Sequence, residues 1–245
     1  TVAVTDQNNS SFGPVGWNRL GQDLDGEAGS DQYGHSVSLS SDGTIVAIGA
    51  NANDGTASSA GHVRIYERDT NEALGWKQLG SDIDGAAAWE QSGGSLSLSS
   101  DGTIVAIGSY GYNGSQGLVR VYERDTNEAI GWKQLGSNIV GENSGDWFGY
   151  SLSLSSDGTI VAIGARLHDG NGTYAGHVRI YERDTNEALG WKQLGSDIHG
   201  EAEGDWCGES VSLSNNGTIV AIGGHKNDGN SGNADDNRGH VRLFS

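Results

Sequence analysis

The sequence lacks most of the residues on which covalent or membrane-based stabilisation depends. Its 245 residues include one cysteine, Cys207, one proline, Pro14, and no methionine. A single cysteine excludes an intrachain disulfide, so we expect burial and sheet hydrogen bonds to hold the fold together. No apolar run approaches the roughly 18 residues that a bilayer-spanning helix needs, so we predict no membrane insertion.

Positive charge is also scarce. The chain has 14 Lys and Arg residues against 32 Asp and Glu residues, a net charge of -18. Such a charge repels phosphate backbones and excludes nucleic acid as a partner, but neutral sugars, divalent cations and cationic proteins remain open. The N-terminal segment TVAVTDQNNSSFG has neither the basic nor the apolar region of a signal peptide. We therefore expect a cytosolic protein or the mature form of an exported one.

What the sequence does have is an internal repeat. Four tryptophans, each preceded by a glycine, are separated by 59, 56 and 59 residues: Trp17, Trp76, Trp132 and Trp191. Four turn glycines repeat the same three intervals: Gly43, Gly102, Gly158 and Gly217. Two independent markers that share one irregular spacing indicate that whole units were copied. Within a single domain over 1–245, we place the units at approximately 16–74, 75–130, 131–189 and 190–245, after an extra N-terminal strand within 1–15.

Each unit reads as four short strands. In the first unit these are SVSLS (36–40), TIVAIG (44–49), HVRIYE (62–67) and WKQLG (76–80). Apolar residues alternate with serine in the first strand, and an Asp-Gly pair supplies the tight hairpin that follows it. A repeated four-stranded antiparallel meander is a propeller blade, so we predict an all-β fold, a β-propeller with four blades.

The two ends of the chain suggest how the ring would close. The segment WNRLG (17–21) precedes the first complete unit, and the chain ends at VRLF (241–244) without a following fourth strand. Pairing these segments would build one blade from both ends and remove exposed sheet edges. The strand predicted at Val2 to Thr5 is then surplus, and we expect it to cap an edge or to assemble with another chain.

Short motifs in each unit resemble the FG-GAP repeats that build the propeller of integrin α-subunits. Phe148-Gly149 matches the Phe-Gly of that family, and Gly49-Ala50 and Gly164-Ala165 match the start of its Gly-Ala-Pro motif. The remaining positions depart from the two motifs: Tyr33-Gly34, Ser92-Gly93, Cys207-Gly208, Gly108-Ser109 and Gly223-Gly224. The resemblance spans nearly all of the chain. It implies a propeller, an extracellular or cell-surface location, and a role in adhesion.

The calcium role of that family does not carry over to the equivalent loop. FG-GAP repeats of the integrin type hold calcium between the first two strands with several aspartates, because calcium takes six to eight oxygen ligands. The corresponding hairpin here contains one carboxylate, or one amide in the fourth unit: Asp42, Asp101, Asp157 and Asn216. We predict that these residues form turns.

The loops after the second and fourth strands are expected to open on one face of the propeller, which we call the loop face. Four acidic residues on it are candidate calcium ligands: Asp23, Asp25, Glu27 and Asp31. The alternative is that these carboxylates accept hydrogen bonds from loop N–H groups. Aromatic rings beside carboxylates suggest a protein- or sugar-binding surface. Its candidate residues are Trp89, Trp147, Trp206, Tyr112, Tyr174, Asp146 and Asp205. Trp147 and Trp206 could equally wedge beneath the loops.

The sequence favours binding over catalysis. His62, His177 and His240 share one repeat position, but Leu118 occupies it in the second unit. No phosphate loop or zinc-type Cys/His spacing occurs. We therefore predict a non-catalytic recognition or adhesion module for a protein or glycan ligand, with Ca²⁺ as the only cofactor considered. The alternatives are a structural repeat scaffold within a larger assembly and a hydrolase that uses loop-face carboxylates.

Overall fold

The computed structural model describes residues 17–229 and 236–245. The strand predicted at Val2 to Thr5 lies outside the described residues. Of the helices in the described part, none has the length and apolar character needed to cross a membrane.

Each repeat unit forms one antiparallel sheet, which we call a blade. In the first blade the strand order is β1 (Ser36–Leu39), β2 (Ile45–Ala50), β3 (His62–Arg68) and β4 (Trp76–Gln78). A fifth short strand, β5 (Ile83–Asp84), also pairs with β3. The chain therefore returns along the third strand before it crosses to the next blade.

The second and third blades repeat this arrangement, and the fourth has three strands among the described residues. The second contains β6 (Ser95–Leu98), β7 (Ile104–Ser109), α1 (Tyr112–Ser115), β8 (Leu118–Arg124), β9 (Trp132–Gln134) and β10 (Ile139–Val140). The third contains β11 (Phe148–Leu154), β12 (Ile160–Ala165), β13 (His177–Arg183), β14 (Trp191–Gln193) and β15 (Ile198–His199). The fourth contains β16 (Ser210–Leu213), β17 (Val220–Gly224) and β18 (His240–Phe244). The predicted all-β propeller architecture with four blades is confirmed.

A single side chain fixes the hairpin between the first two strands of each blade. Asp42 Oδ1 accepts hydrogen bonds from Ser40 Oγ (2.7 Å), Thr44 N (2.9 Å) and Thr44 Oγ1 (2.8 Å). Gly43 has a φ of 71°, a conformation in which glycine is least strained. Asp101, Asp157 and Asn216 make the same contacts in the other blades. Their predicted role as turn formers agrees with this geometry.

Consecutive blades are joined along their first strands by serine side chains. Ser36 Oγ donates to Gly93 O (2.6 Å), and Leu98 N donates to Ser38 Oγ (3.0 Å). The next two junctions repeat both bonds: Ser95–Gly149, Leu154–Ser97, Ser151–Gly208 and Leu213–Ser153. We call each such junction a seam. The serines that alternate with apolar residues in SLSLS thus connect one blade to the next.

The apolar core also lies in the seams. Ile65 of the first blade and Leu98 of the second belong to one buried cluster. At the outer edge, Trp132 Nε1 donates to Leu79 O of the preceding blade at 2.8 Å. Trp191 and Trp76 donate in the same way to Leu135 O and Leu20 O. Trp132 and Trp191 are therefore buried between blades, whereas Trp17 is 83% exposed.

The predicted closing pair, residues 17–21 with the C-terminal strand, is not among the strand pairings of residues 17–229 and 236–245. In that part of the chain β18 pairs with β17 alone. The N-terminal segment lies against the first blade instead, where Gln22 N donates to Leu74 O at 2.7 Å. Apolar side chains are exposed at both ends of the array: Val37 and Leu39 on β1, and Val241 and Leu243 on β18. We call these two surfaces the first-blade end and the fourth-blade end.

Candidate ligand-binding loop face

Backbone hydrogen bonds bring together the two sets of loops that the sequence places on one face. Trp89 N, after the fourth strand of one blade, donates to Ser58 O, after the second strand (2.8 Å). Trp147 N and Trp206 N donate in the same way to Ser115 O (2.9 Å) and Tyr174 O (3.2 Å). The loop face is therefore a continuous surface that runs across the blades.

One acidic residue in each crossing loop lies beneath this surface. Asp31, Glu90, Asp146 and Asp205 occupy the same repeat position and are all buried. Each accepts a hydrogen bond from a backbone N–H of its own loop, at 2.8 to 3.0 Å: Ala28, Ala86, Asn143 and Ala202. Burial raises the pKa of Asp146. Asp146 and Asp205, both predicted to contact ligand, are enclosed by the loops that they order.

The four candidate calcium ligands do not converge on one point. Asp31 Oδ2 accepts a second bond from Asn53 Nδ2 (2.9 Å), and Glu27 contacts the Arg64 guanidinium. Asp23 lies 3.4 Å from Arg19, and Asp25 is exposed. Each of the three engaged carboxylates thus has a partner of its own, and the four predicted residues do not form one cluster of oxygens.

Glu27 does approach two other ionisable groups, His62 and Asp82, with ligand atoms within 4.8 Å of one another. Arg64 Nη2 lies 2.9 Å from Asp82 Oδ2 and also contacts Glu27. The guanidinium therefore already supplies the positive charge that these carboxylates attract. Arg179 repeats this contact with Asp197 in the third blade, and its hydrogen bond lowers the pKa of Asp197 to about 2.

A pocket of about 570 Å³ opens on the loop face at the second blade. Its walls are residues 87–91 of one loop and 111–115 of the next, with Trp89 and Tyr112 among them. Trp89 is 63% exposed. Glu90 is the single carboxylate in the lining, and it is fully buried against Arg120. The pocket thus offers aromatic rings and backbone polar groups to a ligand.

A second aromatic group lies across the seams between the second, third and fourth blades. Tyr110 stacks on Trp147, with ring centroids 5.5 Å apart. The Arg166 guanidinium lies 4.6 Å from the ring centres of both Trp147 and Trp206. Lys226 Nζ lies 3.5 Å from the Trp206 ring centre. We call this arrangement the cation–π ladder, and it ties both half-buried tryptophans to the cations beside them.

The structure thus separates the predicted aromatic residues into two groups. Trp89 and Tyr112 share the pocket, whereas Trp147 and Trp206 are linked through Arg166. Tyr174 is 49% exposed, and its carbonyl accepts the bond from Trp206 N.

Sequence reasoning missed the two cations of the ladder, Arg166 and Lys226. A signal for Arg166 was present, because the repeat position just after the Gly-Ala site carries a different kind of side chain in each unit. Its occupants in the four units are Asn51, Tyr110, Arg166 and His225.

Comparison with known proteins gives one family match. Residues 141–181 match the family model of the FG-GAP repeat, so the resemblance to FG-GAP repeats is confirmed. No curated protein sequence matches the chain.

Several solved structures are similar to the chain. A TolB from Acinetobacter baumannii has a TM-score of 0.49 and 19% identity over 96% of this chain and 47% of that chain. A hydrazine synthase from Kuenenia stuttgartiensis has a TM-score of 0.48 and 16% identity over 84% of this chain and 57% of that chain. A putative TolB from Agrobacterium tumefaciens has a TM-score of 0.44 and 11% identity over 85% and 56%. The chain spans about half the length of these proteins.

Proposed function

We propose that the protein is a non-catalytic recognition module that binds a protein or glycan ligand through its loop face, at the cell surface or outside the cell. The propeller of FG-GAP-type repeats is the scaffold of this module. The pocket beside Trp89 is the observation that carries the proposal, and it favours a glycan. An exposed indole can stack on the C–H face of a sugar ring, while loop N–H and C=O groups fix the hydroxyls.

The chemistry of the pocket supports binding rather than hydrolysis. Glycoside hydrolysis uses a pair of carboxyl groups that face each other across the scissile bond. Glu90 is the one carboxylate of the lining, and its oxygens are engaged by Ala86 N and Arg120. A carboxylate held in this way orders the pocket wall and is poorly placed to exchange protons with a ligand.

A glycan array and a pull-down from cell-surface extracts test this function with the Trp89→Ala variant. Loss of ring stacking is worth about 0.5–1.5 kcal/mol, so we expect affinity to fall about two- to twelvefold. Leu74→Ala is the matched control, because Leu74 is also exposed but lies in the turn on the opposite face. Blank results for the wild type in both assays, or equal binding by the two variants, would contradict the proposal.

A second candidate function is a structural unit within a larger assembly, and the two ends of the array favour it. Ser210 and Ser212 at the fourth-blade end occupy the positions of Ser36 and Ser38, the serine side of a seam. At the first-blade end, Gly34 and Leu39 occupy the positions of Gly93 and Leu98, the backbone side. The two ends are thus complementary halves of a seam that the chain forms three times internally.

We infer that a second copy of the chain, joined head to tail, is the partner that fits these ends. Such a heterologous contact closes into a ring or continues as a filament. Each half-seam exposes apolar side chains that are buried in the internal seams, since Val37 is 65% and Leu243 is 70% exposed. The equivalent residues of the seam between the first two blades, Leu96 and Ile65, are buried.

Sedimentation velocity with two variants tests the assembly. Val37→Glu blocks the first-blade end and Leu243→Glu blocks the fourth-blade end, so each variant alone should be monomeric. An equal mixture should form a dimer, because each variant retains the end that the other lacks. A wild type that stays monomeric at every concentration would rule out this contact, leaving further blades or another protein to cover the ends.

A further inference from the structure

Three histidines meet in the third blade, next to the loop face. His168 follows β12, His177 begins β13, and His199 ends β15. The His168 and His177 ring centroids are 4.0 Å apart, and that of His199 lies 5.7 and 5.9 Å from them. One ring nitrogen from each residue lies within 4.8 Å of the others. Three histidines from different parts of the third blade therefore form a single cluster of imidazole rings.

The scaffold does not require histidine at these three positions. The position of His168 is Asn53, Tyr112 and Asn227 in the other units, and that of His177 includes Leu118. The position of His199 is Asp84 in the first unit and Val140 in the second. Since other side chains satisfy the same backbone, the coincidence of three histidines in one blade calls for an explanation other than folding.

Two of the three residues have ring nitrogens available. His177 is fully buried, and neither of its nitrogens has a hydrogen-bond partner among the described residues; the same is true of His199 Nδ1. The nearest carboxylate oxygen, Asp197 Oδ2, is 3.8 Å from His177 Nδ1. A buried polar atom without a partner is costly, and a cation would satisfy it.

His168 is oriented by its neighbours. Its Nε2 lies 3.1 Å from Glu142 Oε2 and donates to that carboxylate, because its Nδ1 accepts a hydrogen bond from Gly170 N (3.0 Å). To bind an ion, His168 has to exchange the bond from Gly170 N for a bond between Nδ1 and the metal. A carboxylate that fixes the ring of a histidine is typical of the surroundings of a metal ligand. Glu142 and Asp197 together outweigh the charge of Arg179, which contacts both, so the local charge is negative.

We propose that His168, His177 and His199 form a binding site for a divalent transition-metal ion of the Zn²⁺ class. Imidazole nitrogen suits zinc, nickel and copper, whereas calcium takes oxygen ligands. Three protein ligands leave a fourth tetrahedral position for water or a ligand group. The site differs in residues, blade position and ion from the calcium loops of integrin-type repeats.

The residues at the equivalent positions of the other blades indicate substitutions that the fold accepts. In His168→Asn the amide oxygen can accept the hydrogen bond that Gly170 N gives to His168 Nδ1. Asn53 Oδ1 accepts the equivalent bond from Gly55 N in the first blade, at 2.8 Å. His177→Leu copies Leu118, and His199→Val copies Val140. His62→Leu is the matched control, since it removes the histidine equivalent to His177 from the first blade and leaves the cluster intact.

Zinc titration calorimetry, melting curves and Co²⁺ absorption test the site on the full chain. The wild type and His62→Leu should bind one Zn²⁺ per chain with a rise in Tm, and Co²⁺ should give a visible ligand-field band. Ca²⁺ should produce no shift. The triple variant should lose all three signals, and Glu142→Gln should weaken zinc binding about 10- to 100-fold.

Two results would overturn the proposal. One is a wild type without a zinc-dependent rise in Tm or a cobalt band. The other is a triple variant that binds zinc like the wild type, which would place the ion elsewhere. If the triple variant does not fold, as judged by circular dichroism, the single variant His199→Val decides, because valine offers no ligand atom and its cobalt band should also be lost. Binding of glycans by Trp89 is a separate readout, so failure of either proposal is distinguishable from failure of the other.

Discussion

Asp101 shows how a single carboxylate fixes a hairpin between the first two strands of a blade. Its Oδ1 accepts bonds from Ser99 Oγ (2.7 Å), Thr103 N (3.0 Å) and Thr103 Oγ1 (2.8 Å). Hydrogen bonds of this kind outweigh burial and hold the pKa of Asp101 below its usual value. The structure around the turn therefore favours the charged form over the protonated one.

We predict that Asp101→Ala lowers the free energy of unfolding by about 1 kcal/mol, whereas Asp101→Asn retains most of it. The fourth blade already uses an amide, Asn216, with the same contacts. The folded pKa lies below the unfolded one, so the stabilisation is present above about pH 4 and is lost as pH falls through the folded pKa. Urea unfolding at pH 7 and pH 3 measures this loss of stability. If the wild type and Asp101→Asn lost equal stability between the two pH values, the predicted contribution of the Asp101 carboxylate would be contradicted.

Residue-level roles were only partly predictable. The turn aspartates follow from local sequence, because their partners lie within two residues. The burial of Asp146 and Asp205 depends on loops that cross from a neighbouring strand, which no local pattern reports. Arg166 likewise gains its role from two tryptophans that precede and follow it by about 19 and 40 residues in sequence.

At the scale of the elements, the glycine near the end of each second strand sets how closely two blades approach. A Cβ on Gly108 would lie 2.3 Å from Gly149 O of the next blade and 2.3 Å from Ser95 Oγ. The serine can rotate away, but the backbone carbonyl cannot without opening the seam. Gly223 in the fourth blade meets Ser210 Oγ at 2.4 Å, with its other neighbours no closer than 3.8 Å.

We predict that Gly108→Ala destabilises the protein by about 1–3 kcal/mol, because it overpacks a complete seam. Gly223→Ala should cost much less, since it occupies the same strand position at an open end. Chemical denaturation of both variants measures the difference. Equal losses of stability in the two variants would mean that the conformation of the strand, and not packing in the seam, disfavours a side chain at this position.

The strands themselves were predictable, since period-two alternation and Asp-Gly turns are local. The seams were not, because Ser36 and its partner Gly93 are 57 residues apart. The short strand β5 was also missed, as two residues are too few to show an alternation.

At the scale of the whole molecule, copied units explain the number of blades, but they do not determine closure. Repeat spacing predicts that every blade offers the same two faces to its neighbours. Each of the three seams joins the facing surfaces of two consecutive blades. One surface of the first blade and one of the fourth therefore remain exposed, as the first-blade end and the fourth-blade end. The two ends are complementary in sequence whether the blades form a closed ring or an open array. Only the strand pairing of β18 in the structure distinguishes these two arrangements.

The most direct test of this account is cysteine cross-linking between the two ends. In a Cys207→Ala background, Leu39→Cys and Leu243→Cys place thiols at the positions of Leu98 and Ile65, which share one buried cluster in a complete seam. On oxidation we expect disulfides between chains, seen as dimers or larger species on a non-reducing gel. A rapid disulfide within a monomer would show that the four blades close on themselves and would contradict the open array.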